Sequence, residues 1–394
     1  LGHDLGDAVL ARAAETVRTV AEAGDEIARI GGDEFVVARF GSQATGARRP
    51  DRDTLSALAG GLLQALGAPM ELNGHPCRVG ASIGIASAAP GEIDPKQLLI
   101  DADIALNRAK TDGRNRWEFF TAEMQAERLA TKRMADAIFG GLETDAFIPY
   151  YQPQFCARSG RVNGVEALAR LRMPDGAILP PGAFLSVADN LDATAEIDRM
   201  IMRRAAEDWL ALRAEGIELG KLSVNVSARR LTDPRLASDV EALGMPTEAL
   251  SVELLESTFL DDPDDAARWA IDRLQELGVA IEVDDFGAGH ASIVSVMRLR
   301  PARLKIDRAL VAPIDACPQA RQLLRSILDI GRALGARVIA EGVETLNHAD
   351  LLVEMGCDAL QGYAFAKPMP QEALARFLRE KPWLRTLARH ASGS

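Results

Sequence analysis

The chain has 394 residues, enough for two or more domains, and its 47% apolar and 26% charged residues are ordinary for a globular protein. A formal net charge of −12 implies no broad basic surface for nucleic acid, and no apolar run approaches a membrane span. No signal peptide is legible at the start, so a cytoplasmic location is expected, with membrane anchoring reserved for a region preceding this sequence in a longer protein. Cys77, Cys156, Cys317 and Cys357 form no CxxC pair and read as free thiols, and the histidines form no metal-ligand pattern.

In chain order, residues 7–23 predict a helix, with Val9, Ala13, Val17 and Val20 at helical spacing. Strands at 26–30 and 34–40 are joined by the turn Gly31-Gly32-Asp33, a hairpin signal. A polar loop at 42–52 leads to a helix at 55–66, a strand at 78–87, a helix at 95–111 and a short strand at 117–120. Mixed elements of this kind give a small α+β domain over 1–120. Residues 121–142 are rich in Ala, Glu and Arg, with Met124, Leu129, Met134 and Ile138 as apolar positions, and predict a connecting helix.

From 143 to 394 the pattern changes. Short apolar runs each stop at a carboxylate, an amide or a lysine. Val165 leads to Glu166, Val224 to Asn225, Val252 to Glu253, and Val283 to Asp284 and Asp285. Leu304 leads to Lys305, Ala340 to Glu341, and Leu360 to Gln361. Helix-like stretches such as 264–277 and 319–334 intervene, and the length is close to the roughly 250 residues of a (β/α)8 barrel. In a parallel α/β barrel these strand ends converge on the face that carries active sites. Converging carboxylates repel one another unless they surround hard divalent cations such as Mg²⁺ or Mn²⁺. A lone carboxylate at a strand end also serves as a helix N-cap, a role open to Asp307, and Lys305 with Asp307 could equally be a simple ion pair.

Gly164-Val165-Glu166-Ala167-Leu168-Ala169-Arg170 resembles the signature of EAL domains, the cyclic-di-GMP phosphodiesterases. Tyr151-Gln152-Pro153, Ser223-Val224-Asn225, Glu253-Leu254-Leu255-Glu256, Asp284-Asp285-Phe286-Gly287, Leu304-Lys305-Ile306-Asp307, Glu341-Gly342-Val343-Glu344 and Gln361-Gly362-Tyr363 follow in the family's order. The resemblance implies a TIM-like (β/α)8 barrel that opens one ester of cyclic-di-GMP to give linear pGpG with two ions, Mg²⁺ or Mn²⁺. It implies Glu166, Asn225, Glu253 and Asp284 as ligands of the first ion, with Asp284 bridging to the second beside Asp285. Lys305 would orient the attacking water, Glu341 would be a metal-shell group or proton acceptor, and Arg170, Gln361 and Gln152 would meet the substrate. Glu256 and Glu344 would hold the loop after Asp285, with Asp307 supporting the site. A homodimer through the EAL domain is also implied. Leu255, Ala288, His290 and Ala291 depart from the family's pattern.

Gly31-Gly32-Asp33-Glu34-Phe35 resembles the signature of GGDEF domains, the diguanylate cyclases, and 2–7, Arg29, Ser82-Ile83-Gly84, Lys110 and Gly113-Arg114-Asn115 extend the match. The first domain is therefore expected to be a partial nucleotidyl-cyclase-like α+β fold without the family's first strand and helix. By resemblance Asp33 binds metal with Glu34 assisting, Asp7 contacts guanine, and Lys110 and Arg114 touch the phosphates of GTP. Glu22 and Asp25 stand where the family's inhibitory site has Arg and Asp, so product inhibition there is expected to be lost. The expectation is a phosphodiesterase whose GGDEF domain is regulatory, or cyclase-active only in a longer chain. The alternatives are a bifunctional cyclase/phosphodiesterase and a non-catalytic cyclic-di-GMP receptor.

Overall fold

The computed structural model describes residues 3–41, 50–72, 75–89, 91–92, 94–256, 265–287 and 293–384, and the chain divides into two compact units at Arg133/Met134. In the first unit a helix, His3–Val20, precedes an antiparallel hairpin of β1 (Glu26–Gly31) and β2 (Glu34–Ala38). Gly32 supplies the positive φ of 46° that the turn needs. The chain entering the hairpin is pinned by Arg39, whose guanidinium donates to both oxygens of Asp25 at 2.9 and 2.6 Å and lies 3.0 Å from Glu22. Arg39 thus occupies both acids at the positions of the expected inhibitory site.

A helix, Arg52–Leu66, leads to a second hairpin, β3 (Met70–Leu72) with β4 (His75–Cys77), then to β5 (Ile83–Ile85), a helix, Pro95–Thr111, and β6 (Trp117–Phe119), which pairs parallel to β5. The strand expected at 78–87 forms only at 83–85, and the hairpin before it, absent from the expected elements, has strands of three residues each, one containing Pro76, too short for a period to show. Among the described residues these strands make separate two-stranded pairs. Such pairs are marginal alone, so the unit depends on the buried faces of its helices, including Ala59, Leu62, Ile104, Ala105 and Ala109. The helix Ala122–Glu143 follows where a connecting helix was expected.

The second unit is a closed eight-stranded barrel. Its strands are β7 (Phe147–Cys156), β8 (Val162–Arg172), β10 (Lys221–Asn225), β11 (Leu250–Leu255), β12 (Ala280–Phe286), β13 (Arg303–Ile306), β14 (Arg337–Ala340) and β15 (Ala359–Leu360), with β9 (Ile178–Leu179) as a short flap on β8. Pairing of β8 with β10 closes the ring. The barrel is not uniformly parallel: β7 runs antiparallel to both its neighbours, β8 and β15. Residues 157–161 are too few for the dozen or more that a parallel crossover requires, so β7 and β8 must form a hairpin.

Outside the ring, helices bury one apolar face each. On Thr194–Ala214 this face holds Ile197, Met200, Ile201, Ala205, Trp209 and Leu212. On Pro318–Leu334 it holds Leu324, Ile327, Leu328 and Gly331. Near the end of the described chain Trp383 stacks on Phe377 at 4.8 Å, meets Phe155 edge-on at 5.5 Å and donates from Nε1 to Gly160 O at 2.9 Å. Trp383 is thereby the clasp between the last helix and the β7–β8 turn. Replacing Trp383 with Ala is expected to cost about 3–5 kcal/mol in the barrel's urea-unfolding transition, and a loss below about 1 kcal/mol would show that the clasp is not part of the core.

Candidate active site

Seven of the eight strands point their C-terminal ends to one face, and β7 passes the same face in reverse. That arrangement gathers the residues on which the apolar runs stop. Lys305 is fully buried, with Glu253 1%, Gln361 3%, Glu166 4% and Asp284 8% exposed around it. The Lys305 Nζ lies 2.6 Å from Glu341 Oε1, 2.8 Å from Glu253 Oε2, 3.2 Å from Asp284 Oδ1 and 3.3 Å from Glu166 Oε2. Asn225 donates to Glu166 Oε1 at 3.0 Å. Gln361 donates to Glu166 Oε2 at 2.5 Å and to Gln152 Oε1 at 3.2 Å, while Gln152 donates to Ala366 O at 3.0 Å. Gly362 makes the turn after Gln361 possible, because a Cβ there would stand 2.2 Å from Val343 O.

Consecutive strand residues face opposite ways, yet Asp284 and Asp285 both join the site. The β12–β13 register shifts between Val283 and Phe286, and Asp285 has a positive φ of 55°. The bulge re-aims the second carboxylate, a strained conformation of the kind held where a site requires it. The Asp285 N–H donates to Asp284 Oδ1 at 3.0 Å, and Gly287 N–H donates to Glu256 Oε2 at 2.7 Å, which ties down the start of the following loop. Asp307 accepts from Ala309 N–H at 2.7 Å as the N-cap of the next helical turn and also reaches Asp285. The N-cap reading of Asp307 therefore describes the structure, and the Lys305 ammonium is committed to other carboxylates.

The charges are unbalanced. Burial opposes ionisation of Glu166, but Lys305 and the hydrogen bonds from Gln361 and Asn225 outweigh it and hold the carboxyl below its usual range. Burial, aided by the charge of Glu166, raises Glu253 well above that range. Burial pushes Glu341 up to about 8 against the pull of Lys305, and burial with the charge of Asp284 pushes Asp285 up to about 6. Burial would discharge Lys305, yet Glu166, Glu253, Glu341 and Asp284 keep it protonated well past its ordinary value. Glu253 Oε1 and Gln361 Oε1 are buried without a partner.

Ligand atoms of Glu166, Glu253 and Asp284 lie within 4.8 Å of one another, and so do those of Asp284, Asp285 and Glu341. Two oxygen-rich clusters that share Asp284, with an orphaned carboxylate oxygen in one, fit hard divalent cations. Arg170, on the same face of β8 as Glu166 and farther along it, lays its guanidinium 5.2 Å from the Tyr150 ring and donates to Ala169 O at 2.7 Å. The remaining residues are less engaged. Glu344 is exposed and makes no hydrogen bond or ion pair among the described residues, while Ala288, His290 and Ala291 lie outside them.

A family model of the EAL domain matches residues 134–368. The chain belongs to the EAL domain family. A second model, the diguanylate cyclase GGDEF domain, matches residues 1–116, so this is a tandem GGDEF–EAL chain. Its relatives include the bifunctional diguanylate cyclase/cyclic di-GMP phosphodiesterase MucR of Pseudomonas aeruginosa, 34% identical over 95% of this chain and 54% of the relative. The signaling protein YkoW of Bacillus subtilis is 32% identical over 97% of this chain and 47% of the relative. The chain thus spans about half the length of these curated relatives. Among solved structures, the MucR phosphodiesterase in complex with c-di-GMP aligns with a TM-score of 0.58 and 30% identity, covering 61% of this chain and 99% of that one.

In the GGDEF unit, Asp7, Asp33, Glu34, Lys110 and Arg114 are all exposed, and no metal-ligating trio of His, Cys, Asp or Glu converges there among the described residues. Asp33 and Glu34 sit at the tip of the β1–β2 hairpin, braced by Arg29, which donates to Gly32 O at 2.9 and 2.6 Å. Asp7 and Arg29 line a cleft of about 330 Å³ between the first helix and that hairpin.

The EAL site also makes a pH prediction. Metal-free, Asp285 and Glu341 bind protons more tightly folded than unfolded, so their contribution favours the native state at low pH. That contribution is complete below their ordinary values of 3.8 and 4.5 and is lost as pH rises through about 6 and about 8. In chelator, the barrel's melting temperature is expected to fall between about pH 5 and about pH 8.5, and Mg²⁺ is expected to flatten the fall. A melting temperature that rises over that range would contradict the charge imbalance.

Proposed function

We propose that this chain is a cyclic-di-GMP phosphodiesterase that opens one ester of the ring to give linear pGpG. The observation that carries the reading is the pair of carboxylate clusters sharing Asp284 on the C-terminal face of an EAL barrel. The c-di-GMP complex of the MucR phosphodiesterase and relatives named as phosphodiesterases, among them NbdA of Pseudomonas aeruginosa and PdeR of Escherichia coli, support the substrate. The departures at Leu255, Ala288, His290 and Ala291 remove none of these carboxylates.

Glu166, Asn225, Glu253 and Asp284 would hold one divalent ion, Mg²⁺ or Mn²⁺, and Asp284, Asp285 and Glu341 a second. Such ions supply Lewis-acid charge and a hydroxide nucleophile at neutral pH. Asn225 and Gln361 hold Glu166 from both oxygens, which fixes its orientation. Lys305 brings a permanent positive charge to the floor of the site, where it orients water and offsets phosphate charge. Glu341, paired with Lys305, would serve as an ionised carboxylate in the shell of the second ion or as the acceptor of the attacking water's proton. Arg170 offers its fork to a phosphate, Gln152 steadies Gln361 beneath the substrate, and Glu256 anchors the loop after Asp285. The GGDEF unit is proposed to be regulatory through GTP, and the barrel to form a homodimer.

Hydrolysis of cyclic-di-GMP with Mg²⁺ or Mn²⁺, followed by product chromatography, is expected to give linear pGpG. Asp284→Asn and Lys305→Met are each expected to lower turnover about a hundredfold or more. Tight binding of cyclic-di-GMP without turnover by the wild-type chain would instead make it a receptor. GTP is expected to change the phosphodiesterase rate of the tandem chain, and unchanged kinetics would remove the regulatory role.

A further inference from the structure

Beneath the carboxylate cluster lies a second layer of inward-facing polar side chains. Residues two apart on a strand share a face, which places Ser223 below Asn225, Glu282 below Asp284 and Arg303 below Lys305. Gln154 enters the same layer from the reversed β7, two residues beyond Gln152. Ser223, Gln154 and Glu282 are fully buried and Arg303 is 7% exposed. Arg303 Nη1 donates to Glu282 Oε1 at 3.1 Å and to Gln154 Oε1 at 3.2 Å, and Ser223 Oγ donates to Glu282 Oε1 at 3.4 Å.

Glu282 and Arg303 are register partners on adjacent strands, but β13 and β7 are not neighbours in the sheet, nor are β10 and β12, so the Arg303–Gln154 and Ser223–Glu282 bonds cross the barrel's interior. Gly164 leaves the room they need, since a Cβ there would stand 2.8 Å from Gln154 Oε1. Barrel interiors are ordinarily filled by branched aliphatic side chains. A buried ion pair is no more stable than well-packed apolar residues of like volume. Stability therefore does not account for this one.

Its position does. Glu282 is the register partner of Glu253 in the cluster above, and its charge bears on that carboxylate. Arg303 enters from the strand that carries Lys305. An unpaired guanidinium at this depth would repel cations in the layer above, because charges in a buried site are weakly screened. We propose that Glu282 is a positioning residue for the metal site: its carboxylate neutralises Arg303, so the barrel's floor does not repel divalent ions held by Glu166, Glu253 and Asp284. This rests on the metal-site reading above.

The test is Mn²⁺ binding to the full chain by isothermal titration, with the metal-free melting temperature recorded for every variant. Glu282→Gln leaves Arg303 uncompensated and is expected to weaken Mn²⁺ binding about tenfold or more. The double variant Glu282→Gln/Arg303→Met restores a neutral floor and is expected to bind within about threefold of wild type, although it removes more native contacts. A purely structural role predicts the opposite order. The proposal is overturned if Glu282→Gln binds as wild type does, or if the double variant is folded and binds as weakly as the single one. Should Glu282→Gln not fold, the double variant still decides, because a folded neutral floor must bind near wild-type strength. Asp284→Asn separates the two readings: if wild type binds Mn²⁺ no better than Asp284→Asn, the metal site fails and takes this inference with it. Weak binding by Asp284→Asn with unchanged binding by Glu282→Gln overturns only the role of Glu282.

Discussion

One ammonium group organises the barrel's upper face. Lys305 is fully buried and stands within 3.3 Å of carboxylates from β8, β11, β12 and the end of β14. Each of those acids would be costly to bury alone, and together they would force the strand ends apart. The lysine repays part of that cost, and the amides of Asn225 and Gln361 repay more by hydrogen bonding to Glu166. The compensation is incomplete, as the orphaned oxygen of Glu253 and the raised Asp285 and Glu341 carboxyls show. That residual imbalance is what a pair of cations would complete.

Two irregularities of the backbone serve this arrangement. Reversal of β7 brings Gln152 against Glu166 and Gln361, a contact made from the opposite chain direction to its neighbours. The bulge in β12, with Asp285 in the left-handed region, lets two consecutive carboxylates serve one site. Both features cost regularity and both serve the candidate site, where local strain is expected to concentrate. The polar layer below continues the pattern: Glu282 and Arg303 give up apolar packing directly under the cluster.

The GGDEF unit differs in kind. Its signature lies on an exposed hairpin tip, its strands form short separate pairs among the described residues, and Asp7, Asp33 and Glu34 are all exposed. Among the described residues no fully buried lysine or arginine gathers several carboxylates there as Lys305 does in the barrel. Arg39 with Asp25 and Glu22 fastens the hairpin rather than leaving an anion site open.

The sequence by itself marked the barrel's site positions, because an apolar run that halts at Glu166, Asn225, Glu253, Asp284, Lys305, Glu341 or Gln361 is a local signal of a buried strand meeting a polar face; it did not give every strand's end, since β8 runs on past Glu166 to Arg172 against β7. It determined the helices at 95–111 and 318–334 nearly to the residue, since their apolar spacing and leading prolines are local too. It did not show the reversed β7, whose direction follows from the short 157–161 turn and from pairing with β15 far along the chain. Nor did it single out Gln154, Glu282 and Arg303, although strand alternation places each two residues from a site residue. Only closure of the ring brings strands that are not neighbours within hydrogen-bond reach across the interior. Local hydrophobic pattern shows where a buried strand carries a polar residue. Which of them meet, and which charge compensates which, is set by long-range pairing that no window of sequence contains.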